Sequence, residues 1–196
     1  MPEASRSDEL DAMRQLAHTP GDSSSLRELR AEGKKTARER ISQLLDKGSF
    51  VEVDSFVQHR AGDHNMHLHR PLGDGVVAGH GMIDGRRVVF FAQDYAVFSG
   101  TMGEMHAKKV AKVAEFAEKS QLPLIGIWDG DGQRVEEGVT SLGATGELLD
   151  ILVACSGRIP MFSLVLGTVS GVSALAAGLS DLSLIHISEP TRRTDI

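Results

Sequence analysis

A single cysteine, Cys155, stands in the whole sequence, so no disulfide closes within the chain and its chemistry fits a reducing compartment. Set in the apolar run LLDILVAC, this cysteine reads as a small core residue. The first residues, MPEASRSDELDAMRQ, contain no apolar signal core, and no run of the sequence approaches the roughly 20 apolar residues of a membrane span. The expectation is a cytoplasmic protein without a membrane partner. Positive charge is also in short supply: 21 Lys and Arg face 27 Asp and Glu, a formal net charge of −6. That balance excludes a general nucleic-acid binder, and any anionic ligand has to be met by a local basic patch. A Ser-His-Asp set is missing as well, and so is an acid/base pair. Glu136 and Glu137 are adjacent, and neighbours on a helix do not face the same way.

What is present suits one compact domain, or one and part of another: 196 residues with 41% hydrophobic content. Residues 1–32 are polar around one weakly amphipathic segment, 9–17, and read as a flexible arm. Thr36 and Glu39 have the spacing of a capping box. The helix they open carries Ile41, Leu44 and Leu45 on one face and is expected to end at Lys47-Gly48. Lys34, Lys35, Arg38 and Arg40 lie on its other face, the first candidates for holding phosphates. His59, His64, His67 and His69 follow in a stretch rich in Pro, Gly, Asp and Asn; it reads as a loop, and no bound metal is expected.

Two β-rich runs, 76–82 and 86–92, flank Asp84-Gly85, a hairpin signal. A helix is expected over 104–119, with Val110, Val113, Ala114 and Ala117 buried and Lys108, Lys109 and Lys112 exposed. The pattern repeats as strand 124–128, helix 141–156, strand 161–167 and a helix from 171. This is an α/β order of the ββαβαβα kind with right-handed crossovers, which puts ligands at the carboxyl ends of the parallel strands. There, Asp129-Gly130-Asp131-Gly132 and Thr168-Val169-Ser170-Gly171 each join a strand to a helix. Both junctions leave backbone N–H groups to face a developing negative charge.

These residues resemble the carboxyltransferase (β) subunits of biotin-dependent acyl-CoA carboxylases, such as propionyl-CoA carboxylase, and the related decarboxylase subunits. The resemblance covers roughly residues 33–181. It rests on Thr36-Ala-Arg-Glu-Arg-Ile with Leu44-Leu-Asp-x-Gly-Ser-Phe, Val57-Gln-His-Arg, Gly73-Asp-Gly-Val-Val and Gln93-Asp with Val97-Phe-Ser-Gly. It continues through His106-Ala-x-Lys, Arg134-Val-x-Glu-Gly-Val and Leu179-Ser-Asp. It implies the crotonase (ClpP-like) fold, a spiral of ββα units, here as an incomplete N-terminal carboxyltransferase domain over residues 33–182.

By that resemblance, an acyl-CoA thioester is carboxylated at its α carbon by carboxybiotin carried on a partner biotin carboxylase or carrier subunit. The protein holds the thioester and ureido oxyanions with backbone donors. The thioester oxygen is assigned to the N–H groups of Asp131, Gly132, Gly171 and Val172, and the CoA phosphates to Lys34, Arg38 and Lys108. The family also implies a homo-oligomer. Its members commonly carry Gly-Gly at both donor sites, whereas this chain has Asp131-Gly132 and Gly171-Val172. An aspartate beside an oxyanion opposes its charge unless the side chain points away. The family's subunits are more than twice this length, and residues 183–196 do not continue its pattern. The expectation is an inactive fragment with a foreign tail, in which SLSLIHI alone has the look of an edge strand. The rival readings are a non-catalytic module that binds CoA or oligomerises, and a subunit of a biotin-dependent decarboxylase or transcarboxylase.

Overall fold

The computed structural model describes residues 6–19 and 21–185. Helices α1 (Arg6–His18) and α2 (Ser23–Ala31) occupy the segment expected as an arm. Asp22 starts α2 by accepting the N–H groups of Ser24 and Ser25 at 3.0 and 2.8 Å. Helix α3 (Ala37–Leu44) begins with the capping box read from the sequence, Thr36 and Glu39 bonding each other's backbone N–H. It stops three residues before the expected Lys47, and the chain turns at Gly48 with φ +79°.

Strands β1 (Val51–Val53), β2 (Val76–Ile83) and β3 (Arg86–Gln93) form an antiparallel edge, joined by the Asp84-Gly85 turn. Then α4 (Glu104–Ser120), β4 (Leu124–Gly130), α5 (Gly138–Cys155), β5 (Met161–Val169), α6 (Gly171–Gly178) and β6 (Leu182–Ile185) continue in crossovers. The six strands lie in sequence order, and β3, β4, β5 and β6 run parallel.

Alternation along the strands divides the core between the two faces of the sheet. Val89 and Phe91 of β3 and Leu124 and Trp128 of β4 face the α4 stripe of Ala107, Val110, Val113, Ala114 and Ala117, with Leu148, Leu152 and Cys155 of α5 in the same cluster. Val88, Phe90, Ile125 and Ile127 point the other way, against Ala37, Ile41 and Leu45. Trp128 meets the Phe91 ring edge-on at 4.9 Å and donates its indole N–H to Ser163 Oγ at 2.9 Å. That satisfies the one polar atom of the largest buried side chain.

The edges depart from the sequence reading. Strand β6 pairs with β5 from Phe162↔Leu182 to Val165↔Ile185, so the expected tail begins as a strand; residues 186–196 lie outside the described residues. Residues 135–155 are long and apolar enough to cross a membrane by length and composition, contrary to the expectation of no such run. Ser141, Ala144, Thr145, Leu148, Leu152 and Cys155 of this helix are buried within the protein. Its outer residues Val139, Leu142 and Val153 are exposed, as are Leu182, Leu184 and Ile185 of β6.

Candidate active site

Three loops meet at the carboxyl ends of β3, β4 and β5. The loop after β3 is sewn to the loop after β4 by backbone bonds: Asp131 N–H to Ser99 O at 3.0 Å, Met102 N–H to Gly132 O at 2.7 Å and Arg134 N–H to Met102 O at 3.0 Å. Gly100 and Gly130 touch so closely that a Cβ on either would stand 2.2 Å from backbone oxygen of the other loop, which only glycine avoids. Gln93, the last residue of β3, accepts the Asp129 N–H at 3.0 Å and so fixes where β4 ends.

The loop after β4 in turn touches the loop after β5. Gly132 has φ +93°, and a Cβ there would lie 2.6 Å from Ser170 Oγ. Gly132 therefore abuts the residue that opens α6, and no side chain caps that helix. Of the four expected donor residues, the structure sets Gly132 beside Ser170, the residue before Gly171 and Val172. The fourth differs. The Asp131 N–H is spent on Ser99 O, and the Asp131 carboxylate accepts a hydrogen bond from Tyr95 Oη at 3.2 Å. Burial, then the Asp131 charge, pushes the Tyr95 hydroxyl above its usual range, so it stays protonated and able to donate.

The expected phosphate-binding residues separate. Lys34 lies with its ammonium 4.1 Å from the Tyr95 ring centroid and 3.0 Å from Glu32. Burial works against its charge, but Glu32, Asp129 and Tyr95 outweigh it and hold the ammonium above its usual range. Together with Lys35 and Arg40, Lys34 lines a cleft of about 720 Å³ that also takes in Gln43 and Leu166–Thr168. Arg38 is committed elsewhere, bidentate to Glu52 at 2.8 and 3.0 Å and bonded to Ala17 O at 2.8 Å. Lys108 pairs with Glu104 at 2.7 Å. Glu104 lines a second cleft of about 660 Å³ with Arg60 and residues 135–140.

Sequence reasoning missed a buried polar network behind these loops. Helix α4 starts at Gly103 without a side-chain cap of its own. Two distant carboxylates supply it: Glu137 accepts the Glu104 N–H at 2.6 Å, and Asp74 accepts the His106 N–H at 2.9 Å. Both also bind Arg134, which is fully buried, hydrogen-bonds Thr101 O at 2.8 Å and sits 4.7 Å above the Phe98 ring. Burial, then the Arg134 and Lys109 charges, drives the His106 imidazole well below its usual range, so it is neutral. The signals for this hub were the Gly73-Asp-Gly and Arg134-Val-x-Glu-Gly stretches. Local spacing gave no reason to join them.

The histidine-rich stretch packs around the same centre. His59 Nε2 lies 2.8 Å from His69 O, and the rings of His59 and His69 stand edge-on to Phe98 at 5.7 and 5.4 Å. Among the described residues, no three His, Cys, Asp or Glu side chains gather as a metal set.

Residues 28–190 match the family described as the carboxyl transferase domain. The chain is 44% identical over 177 residues to the biotin-dependent acetyl-/propionyl-coenzyme A carboxylase beta5 subunit of Mycobacterium tuberculosis, covering 90% of this chain and 32% of that one. It is 45% identical over 155 residues to the propionyl-CoA carboxylase beta chain of Saccharopolyspora erythraea, covering 79% and 28%. The solved structure of transcarboxylase 12S with methylmalonyl-coenzyme A and methylmalonic acid bound superposes with a TM-score of 0.89 at 33% identity, covering 94% of this chain and 37% of that one. The chain thus spans about a third of the length of the curated relatives it matches.

Proposed function

The chain belongs to the carboxyl transferase domain family, with its incomplete crotonase-like α/β fold, and from that membership we propose that it forms the acyl-thioester side of a carboxyltransferase site. In this reading the backbone N–H groups of Gly132, Gly171 and Val172 hold the thioester oxygen as it becomes an enolate, while Asp131 contributes its Tyr95-bound side chain rather than a donor. Fixed donors that already bond the neutral thioester oxygen, and bond it more strongly as charge develops, contribute to ground-state binding and lower the barrier by more than they tighten that binding. The carboxyl group would come from carboxybiotin on a separate carrier subunit.

One observation carries the reading: Gly132 packs on Ser170, so the two strand-to-helix junctions that present donors are neighbours. For the CoA phosphates, Lys34 is kept, now with Lys35 beside it in one cleft, whose wall also holds the Asp129-bound Arg40. Arg38 and Lys108 are set aside, because neither lines that cleft; they pair with Glu52 and Glu104. The acyl group proposed is short, propionyl or acetyl, by analogy with the relatives' names. A homo-oligomer and a cytoplasmic location go with it, the exposed apolar faces of α5 and β6 suiting contact with further protein. Acting alone, the chain is proposed to bind acyl-CoA without turning it over. Transcarboxylation is the second reading, favoured by the superposition on transcarboxylase 12S.

The test is calorimetric titration of the chain with propionyl-CoA, repeated for Gly132→Pro. Proline removes the N–H and, with φ held near about −65°, does not hold a turn at +93°. Saturable binding that drops at least tenfold in a variant with unchanged circular dichroism is the expected result. A folded wild-type chain that binds no propionyl-CoA overturns the reading.

A further inference from the structure

The register of β4 against β5 breaks at one place. Trp128 pairs with Val165, but Gly130 pairs with Val169, so Leu166, Gly167 and Thr168 stand opposite Asp129 alone. The Asp129 side chain lies under this bulge. A Cβ on Gly167 would sit 1.9 Å from Asp129 Oδ1, so only glycine leaves room for the carboxylate. Asp129 is fully buried. Its Oδ2 accepts a hydrogen bond from Arg40 Nη2 at 2.5 Å, and its N–H donates to Gln93 Oε1 at 3.0 Å. Oδ1 has no partner. Arg40, in turn, belongs to the wall of the basic cleft that the bulged residues also line.

This is a costly way to join two strands. A buried carboxylate with one unmatched oxygen loses hydration that a single guanidinium does not fully replace, and apolar side chains of similar volume commonly give equal or better stability. The cost falls at the residue from which the Gly130–Gly132 turn departs, and the prop presses on the segment that leads through Ser170 into α6. Both arms of the donor pair therefore depend on one side chain.

We infer that Asp129 is a positioning residue: clamped by Arg40, its carboxylate props the β5 bulge and sets the gap between the Gly132 N–H and the first turn of α6, the gap a thioester oxygen has to fill. The inference rests on the oxyanion reading above. Asp129 touches no ligand itself; it acts through the two loops.

The experiment compares two ligands that differ only at the carbonyl. Calorimetry gives the affinities of the full chain for propionyl-CoA and for its thioether analogue S-propyl-CoA, and their ratio reports the carbonyl's contribution; adenosine 3′,5′-bisphosphate reports the phosphate end separately. For Asp129→Asn, the expected result is a loss of carbonyl preference on the order of tenfold, the effect of one well-placed hydrogen bond, with bisphosphate affinity within twofold of wild type. Arg40→Lys keeps a cation but loses the planar fork; it is the second variant should Asp129→Asn not fold, and a roughly threefold loss of preference is expected. A folded variant of either kind with the wild-type ratio overturns the proposal, as does a fall in all three affinities together, the mark of a merely structural role. If wild-type protein itself shows no preference for the thioester, the oxyanion reading fails and the positioning role falls with it.

Discussion

Arg134 places Nη1 2.5 Å from Asp74 Oδ1 across 60 positions of sequence, both side chains withdrawn from solvent. The same nitrogen reaches Glu137 at 2.9 Å, and the two carboxylates pass on to the uncapped start of α4. The partial positive charge of a helix N-terminus and one guanidinium thus share two anions. This arrangement fixes the loop after β4 against the helix that follows β3.

Removing Arg134 leaves both carboxylates buried and short of a cation. For Arg134→Met the expected loss is about 3–5 kcal/mol of unfolding free energy, the usual cost of deleting one partner of a buried pair. Urea titration followed by circular dichroism measures it. A loss below about 1 kcal/mol would show that water enters and hydrates Asp74 and Glu137.

Thr36 tests the local end of the scale. It is buried, and its hydroxyl caps the N–H of Glu39, while Glu39, bound by Arg30 and by the Thr36 backbone, has its carboxyl held down to about 2. Thr36→Ala is expected to cost about 1 kcal/mol, as for other lost caps, and to lower the melting temperature by a few degrees with the slope of the denaturant curve unchanged.

Period and spacing made the frame legible. The β-rich runs of β3 and β4, the α4 stripe, the Asp84-Gly85 turn and the Thr36 capping box are all local signals, and each appears where the sequence put it. Buried charge was not legible in this way. Lys109 was expected on the exposed face of α4 with Lys108 and Lys112, yet it is 2% exposed, and its ammonium donates to Val76 O. Arg40 was placed on the outer face of α3 among the phosphate candidates, and its partner Asp129 is 89 positions away. Helical spacing tells which side of a helix a cation occupies; it carries no information about a distant carboxylate or carbonyl waiting there. For the same reason, Asp131 was counted as a donor, since Ser99 O, which takes its N–H, belongs to another loop.

Cys155 offers a reporter of unfolding. Its thiol is fully buried 3.7 Å from Ala114 O, and burial raises its ionisation above the usual range. The folded chain is expected to resist an aromatic disulfide reagent at pH 8 and to release one equivalent of thiolate in denaturant. Rapid labelling under native conditions would mean that α5 separates from α4 on the timescale of the assay.

Lys109 gives the pH dependence. Burial brings its ammonium down to about 8, against the attraction of Glu52 at 3.9 Å. Between about 8 and its ordinary value of 10.5, the unfolded chain therefore holds a proton that the folded chain has given up. Stability rises with pH wherever the unfolded state binds more protons, so this residue makes the fold more stable as pH climbs from about 8 toward 10.5 and penalises it below 8. The full swing is on the order of 3 kcal/mol, at about 1.4 kcal/mol per unit. Lys109→Met keeps the stem that packs beneath β2 and removes the proton. The difference in unfolding free energy between variant and wild type, followed from pH 7 to 10, is expected to move in favour of the wild type as pH rises. A difference flat across that range would mean that the ammonium stays charged in the fold, held there by Val76 O and Glu52.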